Sequence, residues 1–365
     1  MSLDRQAKEL IAAGRDVINL TAGQVDLPMP QSAKTAVARA ADADCTGYIP
    51  ATGSKDAVAA VREKTGWNDG TVLISAGAKP LLSAALACVC GPGDEVLLPV
   101  PCYTSYPEMI RLAGADPVTV AGDPNNRFAV SVEALSRRIT PRTKALLLNN
   151  PVNPTGTVLR KDELAAIAAF VIENDLWLIA DEVYDDFVYD EPFVSLYSIA
   201  DAHARLILVN SVSKSYAMAG LRLGFAVMPD VVGAAVAGYL SHMFGCPCSL
   251  SERAAVETLQ KDGAFSRTLC KEFRQRRDAL YPLLASLPAI RVEKSAGAFY
   301  FWLDVRGTGM DDTAFCRALL EREGVALTPG SAFLVPGYVR FAYTKPFSQL
   351  SDAAGRIARF LKEAE

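Results

Sequence analysis

The sequence predicts an α/β protein: a buried, mostly parallel sheet followed by a smaller α+β region. Two observations carry this. Between about residues 70 and 230, short and almost wholly apolar runs alternate with helical patterns, and strands apolar on both faces belong to sheets covered by helices on both sides. After Ser249 the pattern changes to a long, charge-rich helical stretch and alternating strands, with no Gly- or Ser-rich linker and no internal repeat.

The expected strands of the first region are Val72–Ser75, Glu95–Leu98, Lys144–Leu148, Leu176–Ala180, Leu206–Val209 and Leu223–Val227. Helices are expected at Pro80–Cys90, Ser105–Leu112 and Asp162–Asn174. The second region reads as one long helical stretch, Ser251–Leu287, then strands at Ile290–Val292 and Ala298–Leu303 and a helix near Asp312–Arg322. A strand pair, Val325–Thr328 with Tyr338–Tyr343, precedes a last helix, Ser348–Glu363. A chain of 365 residues suits about two domains. In such sheets ligands bind beyond the carboxyl ends of the strands, so polar residues just after these strands are where chemistry is sought.

Composition narrows the classes. Lys and Arg total 37 against 41 Asp and Glu, a net charge of −4, which gives no reason to expect nucleic acid as a partner. Eight cysteines in this length do not make a disulfide scaffold, and none forms a CxxC. With His203 and His242 as the two histidines, neither a zinc site nor His-based acid–base chemistry is well supplied, and no metal is expected. Free thiols suit a reducing compartment. Met1–Leu10 lacks the layout of a signal peptide, and the longest apolar run, Ala165–Ile172, is far too short to span a membrane. The expectation is a soluble, cytoplasmic protein.

Three successive strand ends carry notable side chains. After Lys144–Leu148 the chain reads Asn149-Asn-Pro-Val-Asn-Pro-Thr-Gly156, a stiff turn whose amides both donate and accept. The next strand ends Ile179-Ala-Asp181-Glu-Val-Tyr184, and an Asp there is costly to bury unless it meets a cation. The third leads into Ser211-Val-Ser-Lys214, with Arg222 eight residues on. Taken singly these are an ordinary turn, a helix cap and a surface ion pair. Together they are what an aldehyde cofactor needs: an amine for an imine, an acid for a ring nitrogen, donors for a ring hydroxyl and an anion site.

With these motifs in this order, the chain resembles the class I aminotransferases of the aspartate aminotransferase superfamily, the fold-type I pyridoxal phosphate enzymes. The likeness runs from Leu20-Thr-Ala-Gly23 to Val339-Arg-Phe-Ala-Tyr343. It implies a large domain over 33–277 with a mostly parallel seven-stranded-type sheet. A smaller α+β domain is implied from 1–32 together with 278–365. The cofactor implied is pyridoxal 5′-phosphate. Lys214 is its covalent anchor and the carrier of the Cα proton, and Asp181 pairs with its ring nitrogen. Asn153 and Tyr184 bond its phenolic oxygen, while Ser211, Ser213 and Arg222 bind its phosphate. The segment Gly77-Ala78-Lys79 adds amides at a helix start, with Ala78 where relatives have Gly or Thr. Tyr103 stacks on the ring. Arg340, Gly23 and Asn153 face the substrate, Arg340 gripping its α-carboxylate. Tyr48 reaches the neighbouring subunit's phosphate, which makes the active unit a homodimer.

The implied activity is a ping-pong exchange of an amino group between an L-amino acid and a 2-oxo acid. Lys79 matches a position that binds the distal carboxylate of acidic substrates in one branch, so glutamate or aspartate is a candidate donor. Lyases, synthases and oxidases share the scaffold, and a non-catalytic cofactor-binding regulator is a remoter reading. Relatives commonly carry an arm ahead of the Leu-Thr-Ala-Gly segment; with nineteen residues before Leu20, part of the substrate roof is expected to be missing or made differently.

Overall fold

A computed structural model describes residues 3–363. In chain order its strands are β1 (Ile18–Asn19), β2 (Thr71–Ser75), β3 (Glu95–Val100), β4 (Asp116–Ala121), β5 (Thr143–Asn149), β6 (Trp177–Asp181) and β7 (Leu206–Ser211). There follow β8 (Gly224–Met228), β9 (Arg291–Val292), β10 (Tyr300–Asp304), β11 (Val325–Ala326), β12 (Thr328–Pro329) and β13 (Tyr338–Ala342).

Seven of them form one sheet in the order β2-β8-β7-β6-β5-β3-β4, in which β8 alone runs against its neighbours. The apolar runs are continuous because both faces are covered. In β7, Leu206 and Leu208 join the core beneath one face, while Ile207 and Val209 join the core beneath the other. Helices Lys55–Thr65, Lys161–Glu173 and Ser249–Lys261 close the first core, and Ala78–Val89 and Asp230–Phe244 close the second. Each fully buried Leu here stabilises the fold by about 1.5–3 kcal/mol.

A third core lies under the antiparallel sheet β12-β13-β10-β9, packed with helices Gly263–Ala285, Asp312–Glu323 and Phe347–Lys362. Helix Gly263–Ala285 is unbroken across residues 277 and 278, and its Leu269 and Phe273 already belong to this core. β1 pairs in parallel with β11, Ile18 opposite Val325 and Asn19 opposite Ala326, so the start of the chain is built into this unit. The short helix α1 (Leu3–Ala12) packs on the same side through Ala7, against Leu320 and Ala326.

Three differences from the sequence reading bear on the sheets and on the long helix. β4 was not anticipated: it is a sheet edge with exposed Asp116 and a proline at 117, so it lacks the apolar run of its neighbours. The long helix expected over Ser251–Leu287 is two helices, parted at Asp262, whose carboxylate accepts from the Ser32 hydroxyl just ahead of Gly263. Of the pair expected from Val325–Thr328, the Thr328 end does join Tyr338–Ala342, but Val325–Ala326 turns to β1 instead.

Candidate active site

β2, β5, β6 and β7 end at one edge of the main sheet, and β8 begins there. Every residue expected in the site except Gly77 and Tyr48 lines one cavity of about 610 Å³ at this edge. Gly77 lies just behind the wall, and Tyr48 stands fully exposed outside it.

Lys214 follows β7 in a single helical turn, Val212–Ser215. Its Nζ donates to the Gly23 carbonyl at 2.7 Å. Burial pushes the ammonium down to about 8, and the charges of Arg340 and Arg222 add to this while Asp181 opposes it. An amine so placed is uncharged to about one half at pH 8, far more than a free lysine, and the uncharged form is what a nucleophile requires.

Asp181 closes β6. Burial pushes its carboxyl up to about 6, against the opposing effects of a hydrogen bond from Tyr106, the Val183 amide and the Lys214 charge. Tyr106 Oη donates to Oδ2 at 2.7 Å and Val183 N to Oδ1 at 3.2 Å. A buried carboxylate held this way is poised for a cation from a ligand. Asn149 staples the neighbouring loop: its Nδ2 donates to the Asp181 carbonyl at 2.9 Å, and its Oδ1 accepts from Asn153 N at 2.8 Å.

Asn153 bridges two groups. Its Oδ1 accepts from Arg340 Nη1 at 2.8 Å, and its Nδ2 approaches Tyr184 Oη at 3.4 Å. Tyr184 Oη in turn shares a 2.8 Å hydrogen bond with Tyr300 Oη. Arg340, on β13, lies over the rings of Tyr300 and Phe333 at 4.6 and 4.9 Å. Its Nη2 donates to the Thr21 carbonyl, while Nε is buried without a partner. That orphan donor is costly by itself and marks the side from which an acceptor is missing.

The third part is an anion cradle. Helix Ala78–Val89 presents its first amides beyond Gly77, where a Cβ would lie 2.5 Å from Arg222 Nη2. Gly77 has φ +106°, a region that favours glycine. A Cβ on Gly224 would lie 2.5 Å from Ala78 N, so β8 also approaches without a side chain. Ser211 Oγ accepts from Ser213 N at 3.3 Å beside them. Helix amides, a hydroxyl and a guanidinium together suit a phosphate. Tyr103 lies at the same wall, with Lys79 Nζ 5.2 Å from its ring centre and bonded to Ser105 Oγ at 3.1 Å.

The sequence model of the family described as aminotransferase class I and II matches residues 15–357. The chain belongs to that family. Among curated relatives, the aminotransferase is 35% identical to the aspartate/prephenate aminotransferase of Cereibacter sphaeroides, over 99% of this chain and 95% of that one. It is 34% identical to the aspartate aminotransferase of Thermotoga maritima, over 99% and 96%. Among solved structures it matches Thermus thermophilus aspartate aminotransferase with maleate at a TM-score of 0.92 and 34% identity, covering 98% and 95%. The aromatic aminotransferase of Pyrococcus horikoshii matches equally, at 0.92 and 34%, covering 98% and 99%.

The family depends on pyridoxal 5′-phosphate, and the aminotransferase is a pyridoxal phosphate enzyme. Its own residues fit that group: a buried acid for the ring nitrogen, a desolvated amine, and a cradle kept open by two glycines. Two residues of the site, Tyr106 and Tyr300, escaped the sequence reading, because no spacing separates them from aromatics that serve packing. Asn149 was singled out only as part of its turn, without the stapling role that the structure gives it.

Gly23 is the tightest point of the aminotransferase site, since a Cβ there would fall 1.9 Å from Tyr300 Oη. Gly23→Ala is expected to lower kcat/KM for the amino donor roughly 10²-fold by displacing Tyr300 and the Lys214 acceptor. Steady-state kinetics at a temperature where the variant is fully folded would check this, since the displaced Tyr300 is also expected to lower the melting temperature.

Proposed function

We propose that this aminotransferase transfers the amino group of an acidic L-amino acid, glutamate or aspartate, to a 2-oxo acid in two half-reactions, with the site residues in the following roles. One observation carries the reading: a desolvated amine, a buried carboxylate and a guanidinium with an unpartnered Nε line a single cavity. Bound pyridoxal phosphate supplies an aldehyde that condenses with amines and a ring that draws electrons from the bonds at Cα.

Lys214 would hold the cofactor through its amine, and the same amine would take the proton at the donor's Cα and return it. Asp181 holds the proton on the ring nitrogen, with Tyr106 fixing the carboxylate. Asn153 and Tyr184 donate to the phenolic oxygen. Ser211, Ser213, Arg222 and the amides from Gly77 to Lys79 hold the phosphate, and Tyr103 covers the ring. Arg340 grips the α-carboxylate beside Gly23 and Asn153, so the bond that breaks is the one presented to Lys214. Lys79 lines the cavity with no carboxylate partner among the described residues, which supports an acidic side chain in the donor.

Tyr48 belongs to this reading through a second copy of the chain. It is fully exposed, as are large parts of Met243 and Phe244, which supports a homodimer in which Tyr48 reaches the partner's phosphate. Eight free cysteines support residence in the reducing cytoplasm. No helix among the described residues is long and apolar enough to cross a membrane.

The test is a half-reaction. The loaded enzyme is given glutamate or aspartate alone, and the cofactor's absorption is followed. Conversion of the lysine-bound aldehyde form to the amine form, reversed by a 2-oxo acid, is the expected result. Loss of substrate with the starting spectrum restored unaided would assign a lyase or oxidase instead.

A further inference from the structure

The strap from Asn19 to Gly23 carries three consecutive carbonyls, each holding a different part of the molecule. Thr21 O accepts from Arg340 Nη2 and, at 3.4 Å, from Thr328 Oγ1. Ala22 O accepts from Thr344 Oγ1 at 3.1 Å, and Gly23 O from Lys214 Nζ at 2.7 Å. The strap therefore sets both the guanidinium and the amine of the site.

Backbone bonds pin it at Leu20, whose N donates to Ala326 O at 2.9 Å and whose O accepts from Ala342 N at 3.4 Å; beyond Leu20, helix α1 adds a side-chain hold on Thr21. Asn19 Oδ1 accepts from the Thr21 amide at 3.0 Å, closing a local turn. Asp4 Oδ1 accepts from Asn19 Nδ2 at 3.0 Å and lies 2.9 Å from Thr21 Oγ1, whose one proton it shares with Asn19 Oδ1 at 2.6 Å. The other Asp4 oxygen accepts from the exposed Lys8 at 2.7 Å. Leu3 and Asp4 also line the main cavity, so α1 supplies roof over the substrate space. A ten-residue helix that buries only Ala7 fully has little to hold it down otherwise.

We propose that Asp4 is a positioning residue for substrate binding: by clipping α1 to Asn19 and Thr21, it fixes the Thr21 carbonyl that orients Arg340. This rests on the assignment of Arg340 to the substrate carboxylate. With Nη1 held by Asn153 and Nη2 by Thr21, the guanidinium is preorganised, and a loosened strap would make the carboxylate bear the cost of ordering it.

The experiment measures binding of maleate, a dicarboxylate with no amino group to react, to the cofactor-loaded full chain through the change in cofactor absorption. Steady-state KM and kcat are measured beside it. Asp4→Ala is expected to weaken maleate about tenfold and to raise KM similarly, with kcat at saturation nearly unchanged. Asp4→Asn keeps the Oδ1 acceptor and is expected within about twofold of wild type, as is Lys8→Ala, which removes an exposed ion pair only. Thr21→Val, which leaves α1 intact, is expected to weaken maleate in the same direction and serves if Asp4→Ala does not accumulate.

Wild-type affinity in Asp4→Ala, with maleate lost in Arg340→Ala, would overturn the clip and leave the function standing. Equal weakening in Asp4→Asn and Asp4→Ala would also overturn it, because charge near the start of α1 would then be the cause. Undiminished binding in Arg340→Ala would instead overturn the reading on which the clip rests.

Discussion

Replacing Lys214 by alanine is expected to lower the turnover number about 10⁴-fold, the full value of a positioned proton carrier that is also the cofactor's anchor. The loss should fall on chemistry rather than on folding, because the ammonium form of this buried amine is itself disfavoured. The cradle of Ser211, Arg222 and the helix amides is intact in the variant, so it should still retain cofactor, with the absorption of the free aldehyde. Single-turnover traces with the amino donor measure the effect. Lys214→Arg is no rescue, since a guanidinium does not give up its proton near neutral pH. The wild-type apoenzyme adds a check with a definite sign. A base depressed to about 8 is protonated below that pH and neutral above it, so capture of pyridoxal phosphate should quicken as pH rises through about 8 and then level off. A flat profile would mean that the neighbours of Lys214 do not act on it as described.

Asp181→Asn is expected to lower kcat/KM for the donor half-reaction by about 10³-fold, or about 4 kcal/mol, the range for removing one partner of a buried ion pair. The amide has nearly the shape of the carboxylate and can still meet the Tyr106 hydroxyl and the Val183 amide, so packing is preserved. What it lacks is charge. Burial pushes Asp181 up to about 6, which makes the carboxylate unusually willing to gain a cation opposite it. An asparagine would leave the ring nitrogen unprotonated and the electron sink weak. Rates that survive the substitution would show that ring protonation is not limiting.

The polar residues that the structure gathers at the cavity were legible in the sequence because of where they fall. β5, β6 and β7 are almost wholly apolar and end abruptly in Asn149, Asp181 and Ser211, so the change in polarity marks the ligand edge of the sheet. Arg340 was legible only through family resemblance; by its position in a strand it would have passed for a surface charge, yet it is buried. Tyr106 and Tyr300 were not legible. Tyr106 opens a short helix and Tyr300 lies in an apolar strand, and each hydroxyl acquires a role only when helix Tyr106–Leu112 or β10 brings it against Asp181 or Tyr184. β4 is illegible for the opposite reason: as a sheet edge with exposed Asp116, it lacks the continuous apolar run that marks its neighbours. Part of the substrate roof was expected to be missing or made differently; Leu3 and Asp4 of α1 line the cavity.

The parallel pairing of β1 with β11 has a consequence for how the protein comes into being. Val325 is translated about 300 residues after its partner Ile18. The main sheet, whose strands all lie between Thr71 and Met228, can assemble while synthesis continues. The strap that holds Arg340 has no strand to join until β11 emerges, and Arg340 itself follows later still. A nascent chain could therefore house the cofactor cradle before it can grip a carboxylate, and competence toward substrate would arrive only once β11 and β13 have formed.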